Sequence, residues 1–364
     1  MIGRVGQWRP LREEVGRPWD IILFPLELIS ILYQLIQALR VKLYATGIMR
    51  TRKLPCKVIS VGNITSGGTG KTPVVELLVR FLQNQGFKVA VLSRGYKRQG
   101  RKKVVVVSDG EKILAEPGQA GDEPYLLARN LKNTPVLVGK DRYRLGEYAW
   151  QNFAIDLVIL DDGFQHLALA RDLNILLLDA SRPFGNHKVL PRGLLRESVN
   201  SIRRAHALLL TRVQREPNPE IFYHYQTLGL SIPVFQSHQQ GQRLINTLTG
   251  EDKDVEYLKD KKVLAFCGIA NPDSFKGLIQ ELGGNLVLFK AFKDHHRYRI
   301  SQLKEIAQDS KALSADMVLT TQKDYVRLIP YQPLDFPLWY LKLSMELITD
   351  QEAFQDLILQ KMSL

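Results

Sequence analysis

The sequence predicts an α/β fold: a mostly parallel β-sheet with helices on both faces, a second and smaller α/β domain, and an N-terminal amphipathic helix. Short apolar runs alternate with helical patterns along most of the chain, which is typical of parallel sheets. A polar stretch with two prolines at 214–219 interrupts this alternation, and 364 residues suffice for two domains of ordinary size. We therefore predict one domain over residues 1–215 and a second over residues 216–364.

The predicted N-terminal helix covers residues 21–44 and is apolar over nearly enough length to cross a bilayer. Its polar residues fall at helical spacing and form one stripe, which consists of Glu27, Ser30, Gln34 and Gln37. That stripe favours an amphipathic helix over a membrane span, and interruption of the apolar run argues against a cleaved signal peptide. Basic residues between Arg40 and Lys53 suit an anionic membrane surface. A membrane-surface anchor and a helix packed on the domain core both stay open.

Two series of candidate strands follow this helix, each recognised by short apolar runs between helical patterns. The first series contains 58–61, 89–92, 104–107, 136–138, 157–160, 175–178 and 208–210. The second series contains 263–266, 286–289, 317–320 and 338–341. The alternation of strand and helix predicts mostly parallel pairing in both domains.

A glycine-rich loop follows the first candidate strand and precedes a helical pattern that begins at Val74. The loop reads Thr65-Ser66-Gly67-Gly68-Thr69-Gly70-Lys71-Thr72. In a strand–loop–helix setting, backbone N–H groups and the helix N-terminus bind phosphate, the lysine reaches the β- and γ-phosphates, and the threonine ligates Mg²⁺. Thr65 replaces the first glycine of the usual pattern, but a turn without a ligand would not need Gly-Lys-Thr at the helix start. The loop predicts an ATP- or GTP-dependent protein.

The chain is basic, with 50 Lys and Arg against 37 Asp and Glu and a formal net charge of +13. Such a charge attracts nucleic acid, an acidic membrane surface or a phosphorylated substrate. The basic residues cluster at 4–17, 40–53, 97–103 and 188–204. No recognisable nucleic-acid-binding module surrounds these clusters, so we predict no nucleic-acid partner. Cys56 and Cys267 are far apart, which predicts neither a disulfide nor a thiolate metal site and favours reduced cytosol.

Acidic residues and histidines supply the other candidates for chemistry. Asp161 and Asp162 end an apolar strand, where phosphate-loop enzymes have a second acidic element that holds Mg²⁺. Asp122 precedes a helical pattern, and the residues alone favour a turn with an acidic helix cap. His295 follows Asp294 in a loop, where a proton acceptor and a solvated loop are equally open. No pattern of cysteines and histidines suggests zinc.

Several motifs along nearly the whole chain resemble, in this order, those of the tetraacyldisaccharide 4′-kinases of lipid A synthesis. They are 61–65 with 67–73, 93–96, 121–124, 160–166, 191–197 and 294–295. The resemblance implies a phosphotransferase that uses ATP and Mg²⁺ and phosphorylates the 4′-hydroxyl of an acylated glucosamine disaccharide 1-phosphate. It also implies peripheral attachment to the cytoplasmic face of the inner membrane of Gram-negative bacteria. The implied partners are the lipid A disaccharide precursor and an anionic membrane surface, and no obligate protein partner is evident.

The resemblance also implies roles for individual residues. Asp122 would be the base near the sugar hydroxyl, paired with His295 from a second domain that closes over the active-site cleft. Lys71, within the nucleotide-binding loop 65–72, would neutralise phosphate charge. The residues that would organise or support Mg²⁺ are Thr72, Asp162 and Glu197, with Asp161 and Gln165. The candidate contacts to anions or substrate are Arg94, Tyr96, Arg142 and Arg196.

Two other classes of function compete with a kinase. A nucleotide-dependent switch or metallochaperone GTPase usually carries the guanine-recognition motif [NT]-K-x-D, whereas 321–324 read Thr-Gln-Lys-Asp, with the lysine one place late. A switch of this kind is therefore disfavoured. A peripheral membrane-binding module with a regulatory nucleotide site would yield no phosphorylated small product.

Overall fold

The computed structural model describes residues 18–100, 102–213 and 218–362, with side chains described from Phe24 onward. The chain forms two compact units that interleave along the sequence. The first contains the chain up to Lys71, Asp162–His238 and the chain from Leu347, whereas the second contains Thr72–Asp161 and Gln239–Glu346. The domain boundary predicted at 215 and 216 and the basic cluster at 4–17 lie outside the described residues, so both stay predictions.

Helices and strands alternate along the described chain, which confirms the predicted α/β class. The strands are β1 (Lys57–Asn63), β2 (Val89–Ser93), β3 (Val105–Asp109), β4 (Pro135–Val138), β5 (Leu157–Asp161), β6 (Leu173–Asp179), β7 (Ala207–Thr211), β8 (Val234–Asn246), β9 (Asp252–Asp254), β10 (Lys262–Cys267), β11 (Asn285–Ala291), β12 (Met317–Thr321) and β13 (Leu338–Leu347). The helices are α1 (Pro18–Ala45), α2 (Lys71–Asn84), α3 (Pro117–Ala120), α4 (Asp122–Asn130), α5 (Arg142–Phe153), α6 (Pro219–Thr227), α7 (Pro272–Glu281), α8 (Ile300–Ala312), α9 (Gln322–Leu328) and α10 (Gln351–Met362).

The first unit is built on a parallel sheet in the order β8-β7-β6-β1. Its central strands are almost wholly buried, which explains why they read as continuous apolar runs rather than alternating patterns. Side chains from the loops that follow the strands, such as Phe164 and Phe184, complete the core on one face of this sheet. The carboxyl ends of β1 and β6 therefore lie beside a buried apolar core.

The second unit contains two groups of paired strands. In the order β5-β2-β4-β3, the first two pairings are parallel and β3 runs antiparallel at the edge. The order β11-β10-β12-β13 is parallel throughout, with apolar cores on both faces of the strands. Helices α4 and α9 pack together within this unit. The predicted mostly parallel sheet is thus confirmed.

Strands β8 and β9 are absent from the strands predicted by sequence. β8 contains a polar middle section, Ser237 to Arg243, whose side chains are mostly half-buried. Because backbone pairing rather than an apolar run defines this strand, hydrophobic patterning gave no signal for it. β9 is three residues long and pairs antiparallel with the second half of β8.

Helix α2 begins at Lys71, one turn before the helical pattern that starts at Val74. Pro73 fits this first turn, because the backbone N–H that proline lacks has no helical partner there. The helix buries Val75, Leu78 and Leu82 at helical spacing. Lys71 and Thr72 are therefore fixed at a helix N-terminus, where the backbone dipole favours an anion.

Helix α1 exposes most of its described apolar side chains instead of burying them. The following are 48% to 62% exposed: Phe24, Leu28, Ile29, Ile31, Leu32, Leu35, Ile36 and Leu39. On the other side Ser30 is buried and Glu27 and Gln37 are half-buried, whereas Gln34 departs from the predicted stripe and is exposed. A helix packed on the domain core would bury its leucines, so that alternative does not describe α1.

Within the part of the chain that is described, Phe24–Ala45 of α1 is long and apolar enough to cross a membrane. Signal sequences and core helices pass the same test of length and composition, although only 6% of the most apolar part of α1 is buried. The contacts of α1 with neighbouring loops, rather than its length, show which face of the helix lies on the protein.

Candidate active site

The glycine-rich loop connects β1 to α2, and its backbone is held from outside. Ser66 N donates to Leu194 O at 2.6 Å, and Arg196 N donates to Ile64 O at 2.7 Å. Gly67 and Gly70 have φ of +119° and +77°, which is the left-handed region that favours glycine. The loop is thereby shaped before any nucleotide binds.

Lys71 extends from the start of α2 into a polar pocket of the first unit. Its side chain is 9% exposed, and Nζ donates to Asn63 Oδ1 at 3.2 Å and lies 3.6 Å from Asp162 Oδ1. Asn63 Nδ2 in turn donates to Thr65 O at 2.7 Å. These contacts orient the ammonium group at the mouth of the loop, where a phosphate-binding lysine is required.

Asp162 directly follows β5 and has a left-handed backbone, with φ of 56°. Arg196 Nη1 donates to both of its carboxylate oxygens, at 2.9 and 2.7 Å, and Gln165 Nε2 donates to Asn63 O at 2.9 Å. Asp162 and Arg196 are 29% and 27% exposed. Four residues predicted as site members, Lys71, Asp162, Gln165 and Arg196, therefore meet around the loop in the first unit.

Glu197 is buried beside the same loop and forms an ion pair with Arg204. Burial raises the pKa of Glu197, against the opposing charges of Arg204 and Arg40. Arg204 also lies over the ring of Phe164, 4.6 Å from its centroid. Arg204 was not predicted from sequence, because nothing in the pattern 198–204 links it to Glu197.

The donor set suits Mg²⁺ in kind, since Thr72, Asp162 and Glu197 offer hydroxyl and carboxylate oxygens. Asp161 is buried at the end of β5 and accepts a hydrogen bond from Ser93 Oγ at 2.9 Å, which suits a supporting role. Arginines hold Asp162 and Glu197 in this structure. A metal ion on these oxygens would share them with, or displace, the guanidinium groups.

Asp122 anchors a second polar cluster, in the second unit. It occupies the first turn of α4, where the helix dipole favours a carboxylate, and it follows Gly121, whose φ of +88° requires glycine. His295 Nδ1 lies 3.1 Å from Asp122 Oδ2. Because a carboxylate only accepts, Nδ1 must carry the proton of this hydrogen bond. The pairing of Asp122 with His295 is thus present in the structure.

Arg327 of α9 completes this cluster and was missed by sequence analysis. Its Nε donates to Asp122 Oδ2 at 2.6 Å, while Nη1 donates to Gly268 O at 2.7 Å and to Asp324 Oδ1 at 2.9 Å. Arg327 is 7% exposed and Asp324 is fully buried. Its partner Asp324 belongs to the Thr-Gln-Lys-Asp stretch at 321–324, which is close to a guanine-recognition motif, and no local pattern links Arg327 to Asp122.

Further contacts lock α4 against α9. Lys323 Nζ lies 2.5 Å from Glu123 Oε1, and Gln322 Nε2 donates to Asn130 Oδ1 at 2.8 Å. Tyr298 OH donates to Asp324 Oδ1 at 2.8 Å. The contacts between α4 and α9, together with that of Tyr298 with Asp324, therefore fix the position of Arg327 relative to Asp122.

The cluster holds Asp122 ionised. Burial alone would raise the pKa of Asp122, but the hydrogen bond from His295 and the charge and hydrogen bond of Arg327 outweigh it and lower the pKa to about 2. At neutral pH the group is therefore a carboxylate that accepts hydrogen bonds.

The remaining predicted site residues have different surroundings. Tyr96 is exposed and its ring packs on His295, with centroids 5.5 Å apart, and Arg94 is exposed nearby in sequence. Arg142 is 5% exposed and its Nη1 donates to Lys140 O at 3.1 Å, which indicates a structural role for this contact. His296 stacks on Phe292 instead of reaching Asp122. Cys56 and Cys267 are not joined by a disulfide bond in this structure.

The chain is similar to known proteins along nearly its whole length. The sequence profile of the family described as "LpxK: Tetraacyldisaccharide-1-P 4'-kinase" matches residues 20–363. A tetraacyldisaccharide 4′-kinase from Syntrophus aciditrophicus is 42% identical, with 97% of each chain covered. A second, from Desulfotalea psychrophila, is 40% identical over 91% of this chain and 94% of its own length.

A solved structure gives the same result in three dimensions. LpxK from Aquifex aeolicus, described as an "apo" form in complex with ATP, has a TM-score of 0.75 and 32% sequence identity, covering 95% of this chain and 100% of that one. These likenesses give no support to the switch or metallochaperone alternative. The resemblance inferred from motifs is confirmed: the chain belongs to the tetraacyldisaccharide-1-phosphate 4′-kinase family.

Proposed function

We propose that this protein transfers the γ-phosphate of ATP to the 4′-hydroxyl of a tetraacyldisaccharide 1-phosphate, a step of lipid A synthesis. The observation that carries the proposal is the placement of Lys71, buried at the start of α2 beside Asn63 and Asp162 in a preshaped phosphate loop. Family membership supplies the acceptor.

On the nucleotide side, the backbone N–H groups of the loop and the N-terminus of α2 bind phosphate oxygens, and Lys71 neutralises their charge. Phosphoryl transfer depends on positioning and charge neutralisation more than on covalent chemistry by the protein. The hydrogen bond from Lys71 to Asn63 keeps the ammonium group in place before ATP arrives.

The residues that would hold Mg²⁺ are Thr72, Asp162 and Glu197, with Asp161 and Gln165 in support. When bound, the ion neutralises charge on the phosphate oxygens. The contact between Arg196 and Asp162 suggests that Arg196 turns from the carboxylate to the phosphates, since a guanidinium binds both kinds of anion. Arg94 and Tyr96 are the exposed candidates for contacts with the substrate.

On the acceptor side, Asp122 accepts the proton of the 4′-hydroxyl while His295 and Arg327 hold its carboxylate in position. A carboxylate with a pKa of about 2 is a weak base toward a free alcohol. It suffices here because the hydroxyl becomes strongly acidic as its oxygen bonds to phosphorus, so the proton leaves late in the reaction.

Helix α1 is the proposed membrane contact. Its polar face is fixed to the first unit: Ser30 Oγ donates to Val189 O at 3.0 Å, Tyr33 OH donates to Arg196 O at 3.1 Å, and Lys188 Nζ donates to Glu27 Oε1 at 2.9 Å. The apolar face remains exposed and suits insertion into the interfacial region of a bilayer. Attachment to the cytoplasmic face of the inner membrane would bring the enzyme to its lipid substrate.

The function is tested by incubating the purified protein with γ-labelled ATP, Mg²⁺ and a lipid A disaccharide precursor. We expect labelled lipid, which depends on the acceptor and is lost in Lys71→Ala. Label released only as inorganic phosphate, whether or not acceptor is present, would refute the kinase and favour a nucleotide-hydrolysing switch.

A further inference from the structure

Three potential metal ligands meet in the first unit, apart from the residues proposed for catalysis. His187 lies in the loop between β6 and β7, whereas Glu220 and His224 lie one turn apart on α6. One ligand atom from each residue lies within 4.8 Å of the other two. His187 Nε2 is 2.5 Å from Glu220 Oε1, and His224 Nε2 is 3.9 Å from the same oxygen.

The local structure aims these side chains at one point. Asn218 caps α6 by accepting a hydrogen bond from Glu220 N at 2.9 Å, and the spacing of four residues places Glu220 and His224 on one face. His187 has a φ of 59°, a conformation that is uncommon outside glycine and clusters at functional sites.

An aromatic ring covers one side of the cluster while the other side opens to solvent. Phe184 packs edge-on to His224, with ring centroids 4.9 Å apart, and lies 6.1 Å from the ring of His187. Glu220 is 8% exposed, whereas the side chain of His187 is 46% exposed. An ion could therefore enter beside His187 and keep a water ligand.

We propose that His187, Glu220 and His224 form a binding site for Zn²⁺. Two imidazoles and one carboxylate are a ligand set that zinc takes, with water in the fourth position. Ligands about 2.1 Å from a tetrahedral zinc ion lie about 3.4 Å apart. Small side-chain movements that widen the contact of His187 with Glu220 and shorten that of His224 with Glu220 would reach this spacing. A simple ion pair would explain His187 beside Glu220 but would not require the second imidazole on the same carboxylate oxygen.

The expected role of the ion is structural. The loop that carries His187 also holds α1, through Lys188 and Arg192 beside Glu27 and through Arg192 N, which donates to Ser30 Oγ at 2.9 Å. Zinc would fasten this loop to α6 and thereby stabilise the support of α1. Sequence analysis found no zinc pattern, because the ligands come from segments more than thirty residues apart.

The test uses the full-length protein, stripped with a chelator, without nucleotide. Zn²⁺ is titrated by calorimetry, and Co²⁺ is titrated by visible absorption, which reports coordination geometry. We expect one ion per chain, intense d–d bands of low-coordinate Co²⁺, and a higher melting temperature with Zn²⁺. His224→Ala and Glu220→Gln should each weaken binding by about 100-fold or more, whereas His238→Ala should bind as the wild type does.

Circular dichroism of each stripped variant shows whether it remains folded. Wild-type binding that persists unchanged in a folded His187→Ala/His224→Ala variant would overturn the site. So would one equivalent of Co²⁺ that gives only the weak absorption of the hexahydrated ion.

Discussion

The clusters around Asp162 and Asp122 use the same components but differ in how firmly they are held. Each centres on a carboxylate that is hydrogen-bonded to an arginine and lies near a second basic side chain, Lys71 in one case and His295 in the other. Asp162 and its arginine are both more than a quarter exposed, whereas Arg327 is 7% exposed.

The difference lies behind the arginine. Arg327 is anchored to the buried carboxylate of Asp324, which Tyr298 and Thr321 also bind. Arg196 has its carboxylate contact at a half-exposed position. The Asp122 cluster is therefore preorganised, whereas the half-exposed ion pair of Asp162 has room to rearrange, as the proposed binding of phosphate and metal there requires. A base needs fixed geometry, whereas a nucleotide site must rearrange with its ligand.

The largest effect is expected for Asp122→Asn. Loss of the carboxylate should lower kcat by about 10²–10⁴-fold while ATP affinity is nearly retained, because the proton moves only in the reaction. Steady-state kinetics and nucleotide titration measure the two quantities. Asp141→Asn, which preserves a helix cap on α5, is the matched control and should be near normal. Near-normal turnover by Asp122→Asn would remove its assignment as the base.

The next effect is on stability and compares the two arginines directly. Arg327→Met leaves the buried Asp324 without its cation and should reduce the free energy of unfolding by about 3–5 kcal/mol. Arg196→Met breaks a half-exposed pair and should cost about 1 kcal/mol or less. Urea unfolding at neutral pH measures both, with Arg327→Lys retaining the charge. Equal losses for the two substitutions would contradict the view that the Asp122 cluster is held more firmly than the Asp162 cluster.

Arg327→Met should also change how the stability of the protein depends on pH. The pKa of Asp122 is lower in the folded protein, about 2, than in the unfolded chain, about 3.9. Its stabilising contribution is therefore present above pH 4 and is lost as the pH falls toward 2. Arg327→Met should raise this pKa and shrink that part of the acid-dependent loss of stability. An acid unfolding curve with the wild-type dependence over this range would show that Arg327 does not hold the carboxylate ionised.

A smaller effect, on the requirement for Mg²⁺, is expected at the Asp162 cluster. Asp162→Ala should raise the Mg²⁺ concentration needed for half-maximal activity by at least about tenfold, because a hard oxygen ligand is lost. Asp172→Ala, which removes a carboxylate of similar exposure beside Lys57, is the control. Unchanged Mg²⁺ dependence together with unchanged activity would return Asp162 to a turn residue.

Substitutions on the exposed face of α1 should have the smallest effect on phosphoryl transfer itself, and their main effect should be on membrane binding. Helix α1 contacts the site through Tyr33, which donates a hydrogen bond to the backbone of Arg196. Each leucine buried in a membrane interface contributes up to about 1.5–3 kcal/mol, so Leu28→Asp with Leu32→Asp should reduce binding to anionic liposomes at least about tenfold. Sedimentation and thermal melting are measured together. Leu114→Asp with Leu248→Asp changes two equally exposed leucines elsewhere. Full liposome binding by the folded α1 variant would leave the anchor without support.

The sequence by itself determined the α/β class, eleven of the strands and the phosphate loop. These features depend on local patterns: apolar runs for buried strands, and Gly-Lys-Thr at the start of α2 for phosphate binding. It also pointed to the family, since ordered motifs along nearly the whole chain carry that information. The amphipathic character of α1 was visible from its polar stripe.

Only the tertiary structure decided which partners complete each site. Asp122 and Arg327 are separated by 205 residues, and Glu220 and His187 by 33, so no local pattern could reveal their pairing. It likewise decided that α1 turns Ser30 and Glu27 toward the protein and most of its leucines outward, because that orientation depends on the loop with Val189 and Arg192. Helical periodicity places residues on faces, but the hydrogen bonds and ion pairs of distant segments decide which face lies inward.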